Sequence, residues 1–162
     1  MLAHPAVTIV LPGIAALFGT DEDDRFRLLD ATTMKNVLEA DGAREIVALL
    51  TLGEDITLGD ICTPVQPGAP VYTNDSEVFA AAILLAPRYS RTLCTVFDPP
   101  AKTLLAIFPA QTRIIWSPID TPEVASVLRE LAQESRTVEG EDFLSAEVAR
   151  FDGERWLPAE AS

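Results

Sequence analysis

The sequence predicts an α+β fold in one domain: a central antiparallel β-meander over about residues 92–117, helices covering it, and a C-terminal β-hairpin. Three observations predict it. Three short runs of strand-type residues, 92–97, 103–108 and 112–117, lie close together. A capped amphipathic stretch follows them over 122–134. The charge is uneven in a way that suits one core with two wetted flanks. Residues 1–60 carry 11 acids and 4 bases, residues 61–118 carry 3 and 4, and residues 119–162 carry 11 and 4. At 162 residues the chain has the usual size of one domain, roughly 100–200 residues. An apolar share of 48% with 23% charged residues is too hydrophobic for a disordered chain.

Taken in order, the apolar run over 6–18 is broken by Pro12 and Gly13 and is too short to cross a bilayer. Asp21, Glu22, Asp23 and Asp24 lack the alternating ligands and glycine of a calcium loop, so they read as a solvated loop or helix start. A short helix is expected over 34–40, capped by Thr33 and stopped by Gly42. Residues 44–52 fit helix or strand equally. For 77–86 the alanines and the Asn74-to-Glu77 spacing favour a capped helix, with a buried strand as the alternative.

Eight of the twelve prolines fall in 61–118, which calls for short elements and sharp turns there. The segment 98–102 has turn chemistry and is expected to join the first two strands of the meander. In the second strand Leu104, Ala106 and Phe108 alternate with Leu105 and Ile107. Apolar on both faces means covered on both faces. The helix after Asp120 is the natural cover for one. Thr121 is its N-cap, Pro122 its first residue, and Glu123 complements its dipole. Val124, Val127, Leu128 and Leu131 form its apolar stripe. Glu139, Glu141 and Asp142 around Gly140 are expected in a loop. Finally, 148–151 and 154–157 flank Asp152-Gly153, a hairpin signal. A two-residue turn there pairs Phe151 with Glu154, Arg150 with Arg155, and Ala149 with Trp156.

Several chemistries lack their residues. The one histidine, His4, is near the start, which disfavours Ser-His-Asp, Cys-His and His-based zinc sites. Phosphate-cradling glycine loops and the nucleophile-elbow pattern are absent from the sequence. No catalytic residue, metal ligand or cofactor is therefore assigned, and the expectation leans away from an enzyme. A net charge of −13 opposes nucleic-acid phosphates and anionic membranes. Only Lys35 and Lys102 are lysines, against ten arginines, which reflects compositional bias rather than chemistry. Cys62 and Cys94 form no paired motif and are expected buried and reduced in a cytoplasmic protein.

Two groups of arginines invite an anion. Arg88, Tyr89 and Arg91 follow Pro87 in the acid-poor middle, where guanidinium forks suit carboxylates or phosphates. Asp98 and Tyr72 join them only if the fold brings them near. Arg150 opposite Arg155 needs a neutraliser, since like charges across a hairpin cost roughly 0.2–1 kcal/mol. The protein's own acids are the ordinary answer, and an anionic ligand is the other. Trp156 is expected in the core. Two functions compete. One is a non-enzymatic interaction protein (chaperone, immunity or inhibitor protein, or assembly subunit) with a protein partner, a basic one suiting the charge. The other is a metal-independent anion binder or enzyme using Arg, Tyr and carboxylates. The apolar surplus also suits a homo-oligomer, and mimicry of nucleic acid is a minor form of the first reading.

Overall fold

A run that is apolar at every position can be a strand only where both faces are covered, and Leu104–Ala110 is such a run, buried throughout. The computed structural model describes residues 7–11, 14–17, 19–22, 25–28, 62–74, 87–110 and 112–159. In chain order these give β1 (Val7–Leu11), β2 (Ile14–Leu17), β3 (Gly19–Glu22), β4 (Arg25–Leu28), β5 (Thr63–Pro64) and β6 (Tyr72–Thr73). Then follow α1 (Pro87–Thr95), β7 (Leu104–Ala110), β8 (Arg113–Ser117), α2 (Pro122–Glu139), a 3-10 turn (Gly140–Asp142), β9 (Ala149–Phe151) and β10 (Trp156–Pro158). The expectations for His4, 34–40, 44–52 and 77–86 lie outside the described residues.

The architecture is α+β. A six-stranded antiparallel sheet runs β10-β9-β7-β8-β6-β5. Two further two-stranded pairs, β1 with β2 and β3 with β4, come from the N-terminal part. The alternation in β7 divides the core as its sequence dictates. Leu104, Ala106 and Phe108 join Trp116, Phe151, Trp156, Leu93 and Cys94 on one face. Leu105 and Ile107 join Ile115, Val71, Val148 and three α2 residues on the other.

Helix α1 is the main departure from expectation, because it occupies most of 92–97, where a strand and the first leg of the meander were expected. Thr92 and Thr95 within it, and Val96 just after it, favour strands only weakly against tertiary context. Pro87 opens the helix, and the buried residues Ser90, Leu93 and Cys94 recur at helical spacing. The Thr95 hydroxyl donates back to the Thr92 carbonyl at 2.7 Å, which reconciles a β-branched residue with the last turn. Cys94 is therefore a helical core residue. The segment 98–102 joins this helix to β7 instead of joining two strands.

Helix α2 starts as expected, with Thr121 accepting from the Val124 N–H. It runs on to Glu139, past the expected end at 134. Gly140, at φ +58°, sends its N–H to the Arg136 carbonyl and ends the helix. Glu139 is thus helical, and Glu141 and Asp142 sit in the 3-10 turn rather than in open loop. Its buried stripe is Ala125, Leu128, Ala132 and Ser135. Val127 is exposed and Val124 and Leu131 are only half-buried, so the expected stripe was rotated by about one position. Small residues win the buried side because alanines let the helix approach β7 closely.

The C-terminal hairpin exists, but in another register. Phe151 pairs with Trp156, Arg150 with Leu157, and Ala149 with Pro158. Four residues turn instead of two. The Asp152 carboxylate accepts from the Glu154 and Arg155 N–H groups, both at 2.9 Å, and Gly153 takes φ +102°. The two-residue turn would have set Glu154 beside buried Phe151. The longer turn leaves Glu154 exposed and lets Phe151 and Trp156 be buried together. Asp21 and Glu22, expected in a loop or helix start, are in β3, with Glu22 opposite Arg25 in the register with β4.

Candidate functional site

The longest described helix is fixed to the sheet at both ends. Ahead of it, Asp120 receives two bonds from Arg150 of β9, from Nε at 2.7 Å and from Nη2 at 3.0 Å. At its far end Arg113 of β8 lies 3.3 Å from the Glu139 Oε1. That oxygen is buried and has no hydrogen bond of good geometry, so the second contact is electrostatic. Between these clamps the alanine-leucine stripe packs on β7, and the opposite side of α2 is left to solvent.

That outward side carries an ordered pattern. Glu123, Val127, Glu130, Glu134 and Val138 recur at steps of four, three, four and four, so they share one face of the helix. All five are exposed, Val127 at 42% and Val138 at 73%. Among the described residues, none of the three glutamates is paired with a cation. Glu130 and Glu134 are like charges at i and i+4, which costs a helix about 0.2–0.5 kcal/mol. Helix stability is therefore not what this face maximises.

The expected anion-binding residues are distributed over several elements. Arg88 and Tyr89 lie in the first turn of α1 by backbone, their side chains outside the described residues. Arg91, on the next turn, is exposed, as is Asp98. Tyr72 is engaged in an aromatic group, 5.1 Å from Trp116 and 5.9 Å from Phe97 between ring centres. Arg150 faces Asp120, and Arg155 is exposed in the hairpin turn. The Arg150–Arg155 opposition disappears with the change of register. Trp156 is in the core. Its indole N–H donates to the buried Ser90 hydroxyl at 2.8 Å, and its ring meets Phe108 edge-on.

Cys62 and Cys94 are free thiols at the same apolar cluster. Burial pushes both up from the ordinary thiol value, which keeps them protonated and poorly nucleophilic at neutral pH. Among the described residues no three His, Cys, Asp or Glu side chains gather to hold one ion, and no helix is long and apolar enough to cross a membrane.

Sequence reasoning missed the outward stripe because it assigned Val127 to the core and stopped the helix at 134. The available signal was Gly140. Reading it as the C-terminal cap carries the helix to 139 and lines up Glu123, Val127, Glu130, Glu134 and Val138. Comparison of the chain with family models, with curated proteins and with solved structures gives no match.

Proposed function

We propose that this protein is a non-enzymatic interaction protein, an accessory chaperone, inhibitor or assembly subunit, that docks a basic protein partner on the outward face of α2. The observation that carries the reading is the alternation of Glu123, Glu130 and Glu134 with exposed Val127 and Val138 on a helix clamped at both ends. Carboxylates at these positions steer and orient a Lys- or Arg-rich surface. The two valines supply apolar contacts that charge alone does not. The excess of acids over bases in the whole chain, −13, adds long-range attraction of the same sign. The scarcity of histidine and the missing phosphate and nucleophile motifs support a role without catalysis.

The test compares the native protein with Glu123→Lys/Glu134→Lys as baits in lysate of the source cells, at low and high salt, read by mass spectrometry. A basic protein enriched by the native bait at low salt, released at high salt and absent from the variant is the expected result. Equal capture by both baits, or capture indifferent to salt, defeats the proposal.

A further inference from the structure

A second surface lies about a third of a turn around the same helix. There an open groove of about 590 Å³ runs between α2 and the segment leading into β9, with Ala159 beside it. Its helical wall is built by Ser126, Arg129, Gln133 and Arg136, at steps of three, four and three, so they form one row, with Glu130 at its edge. Every member of that row donates hydrogen bonds, and the guanidinium groups only donate. Among the described residues neither arginine has a carboxylate partner. Arg136 is oriented by stacking over Phe143, 5.0 Å from the ring centre. Stacking occupies a guanidinium face and leaves its edge N–H groups available. The opposite wall is the backbone of residues 146–148, with half-buried Ala146 and exposed Glu147 facing the opening while the Val148 side chain is buried in the core.

We propose that this groove binds an extended acidic peptide segment, with one carboxylate on Arg129 and the next on Arg136. The spacing selects the occupant. Seven residues of helix separate the two arginines by about 10 Å along the axis. A polyproline-II segment repeats its orientation every third residue and advances about 9 Å in doing so. Acids at i and i+3 of such a segment therefore meet both forks from one side. Glu130 and Glu147 line the same groove, and they decide between classes of anion. They repel a ligand charged along its whole length, such as polyphosphate or nucleic acid, yet can accept the N–H groups of a peptide backbone. Glu130 belongs both to this groove and to the outward stripe, but the carboxylate contacts proposed here come from Arg129 and Arg136, so the two readings are tested by different substitutions.

The probe is a fluorescein-labelled peptide with Glu at every third position in a Pro/Ala background, beside its Gln counterpart, followed by anisotropy. The Glu peptide should bind the native protein, with the Gln peptide weaker by about tenfold or more, as loss of charge-assisted bonds requires. Arg129→Gln/Arg136→Gln should lose a similar factor, whereas Glu123→Gln/Glu134→Gln should bind as the native protein does. Circular dichroism checks the fold, and Arg136→Gln alone, at an exposed position, serves if the double variant misfolds. Equal binding of the two peptides, no binding of either, or full binding by the arginine variants overturns the proposal. Displacement by inorganic triphosphate at concentrations below those of the peptide overturns it in favour of a phosphate site.

Discussion

Trp156 and Ser90 are 66 residues apart in sequence and share a buried hydrogen bond. Removing the hydroxyl leaves the indole N–H without an acceptor, so Ser90→Ala should destabilise the protein by about 1–3 kcal/mol. Urea unfolding, followed by Trp fluorescence, measures it. Asp152 is a contrasting case at the surface. Its carboxyl is held below the ordinary 3.8, first by the Arg155 N–H and then by the Glu154 N–H. The ionised form is the one favoured in the fold. Its contribution to the hairpin is complete above the ordinary carboxylate value and is lost as the pH falls through the lowered one. Asp152→Ala should remove that acid dependence, and Asp152→Asn, which retains an acceptor oxygen, should keep the turn. The two thiols act in the opposite direction. Their values are raised by burial, so unfolding releases protons near the ordinary thiol value of 9.0. Stability should therefore decline as the pH rises past that value, and replacing both with Ala should flatten the decline in alkaline unfolding titrations.

At the scale of the element, α2 joins a legible beginning to a misread side. Thr121, Pro122 and Glu123 identify its start from sequence, since a cap, a first-turn proline and an acid have local causes. Thr121→Ala should cost about 0.5–1 kcal/mol, toward the low end for a cap because the bond to the Val124 N–H is 3.4 Å long. Which side is buried depends on what the helix meets. β7 presents Leu105 and Ile107, and a close approach to them favours Ala125 and Ala132 over the valines. Ala132→Leu should overpack this contact by about 1–3 kcal/mol. The outward stripe should behave differently. Glu134→Lys replaces an i,i+4 repulsion from Glu130 with an attraction, and should raise stability by about 0.5 kcal/mol while weakening capture of a basic partner. A thermal melt alongside the bait experiment separates those effects. In α1 the threonines pointed to a strand, while Pro87 and the 90/93/94 spacing pointed to a helix. The second signal prevailed because it matched the burial on the sheet.

Across the whole molecule, the sheet order β10-β9-β7-β8-β6-β5 sets the C-terminal hairpin beside β7. This brings Arg150 to Asp120, thirty residues earlier, at the mouth of α2. The pair is partly exposed, at 39% and 23% of the side chains, so solvent screening limits it to about 1 kcal/mol or less. Asp120→Asn should lower the unfolding midpoint by an amount of that order and increase hydrogen exchange in β9 and the first turn of α2. The same clamp, with Arg113 and Glu139 at the other end, holds the acidic stripe and the donor-lined groove in fixed relation on one helix. A partner with a basic face for the first would be placed to reach the second.

What the sequence by itself determined follows from short-range causes. An unbroken apolar run made 103–108 a strand covered on both faces, the capping residues opened α2, Asp152-Gly153 marked a turn, and composition set the sign of the net charge. Each depends on a residue and its near neighbours. The tertiary structure decided the rest. It made 92–97 largely helical, rotated the buried side of α2, shifted the hairpin by two residues, and drew Arg150 to Asp120 instead of setting it against Arg155. In each of these the local alternatives differ by about 1 kcal/mol or less, whereas burying or exposing a large apolar side chain is worth about 1.5–3 kcal/mol. Contacts between residues far apart in the chain, Trp156 with Ser90 and Phe108 and Leu128 with β7, therefore settled what local preference left nearly balanced.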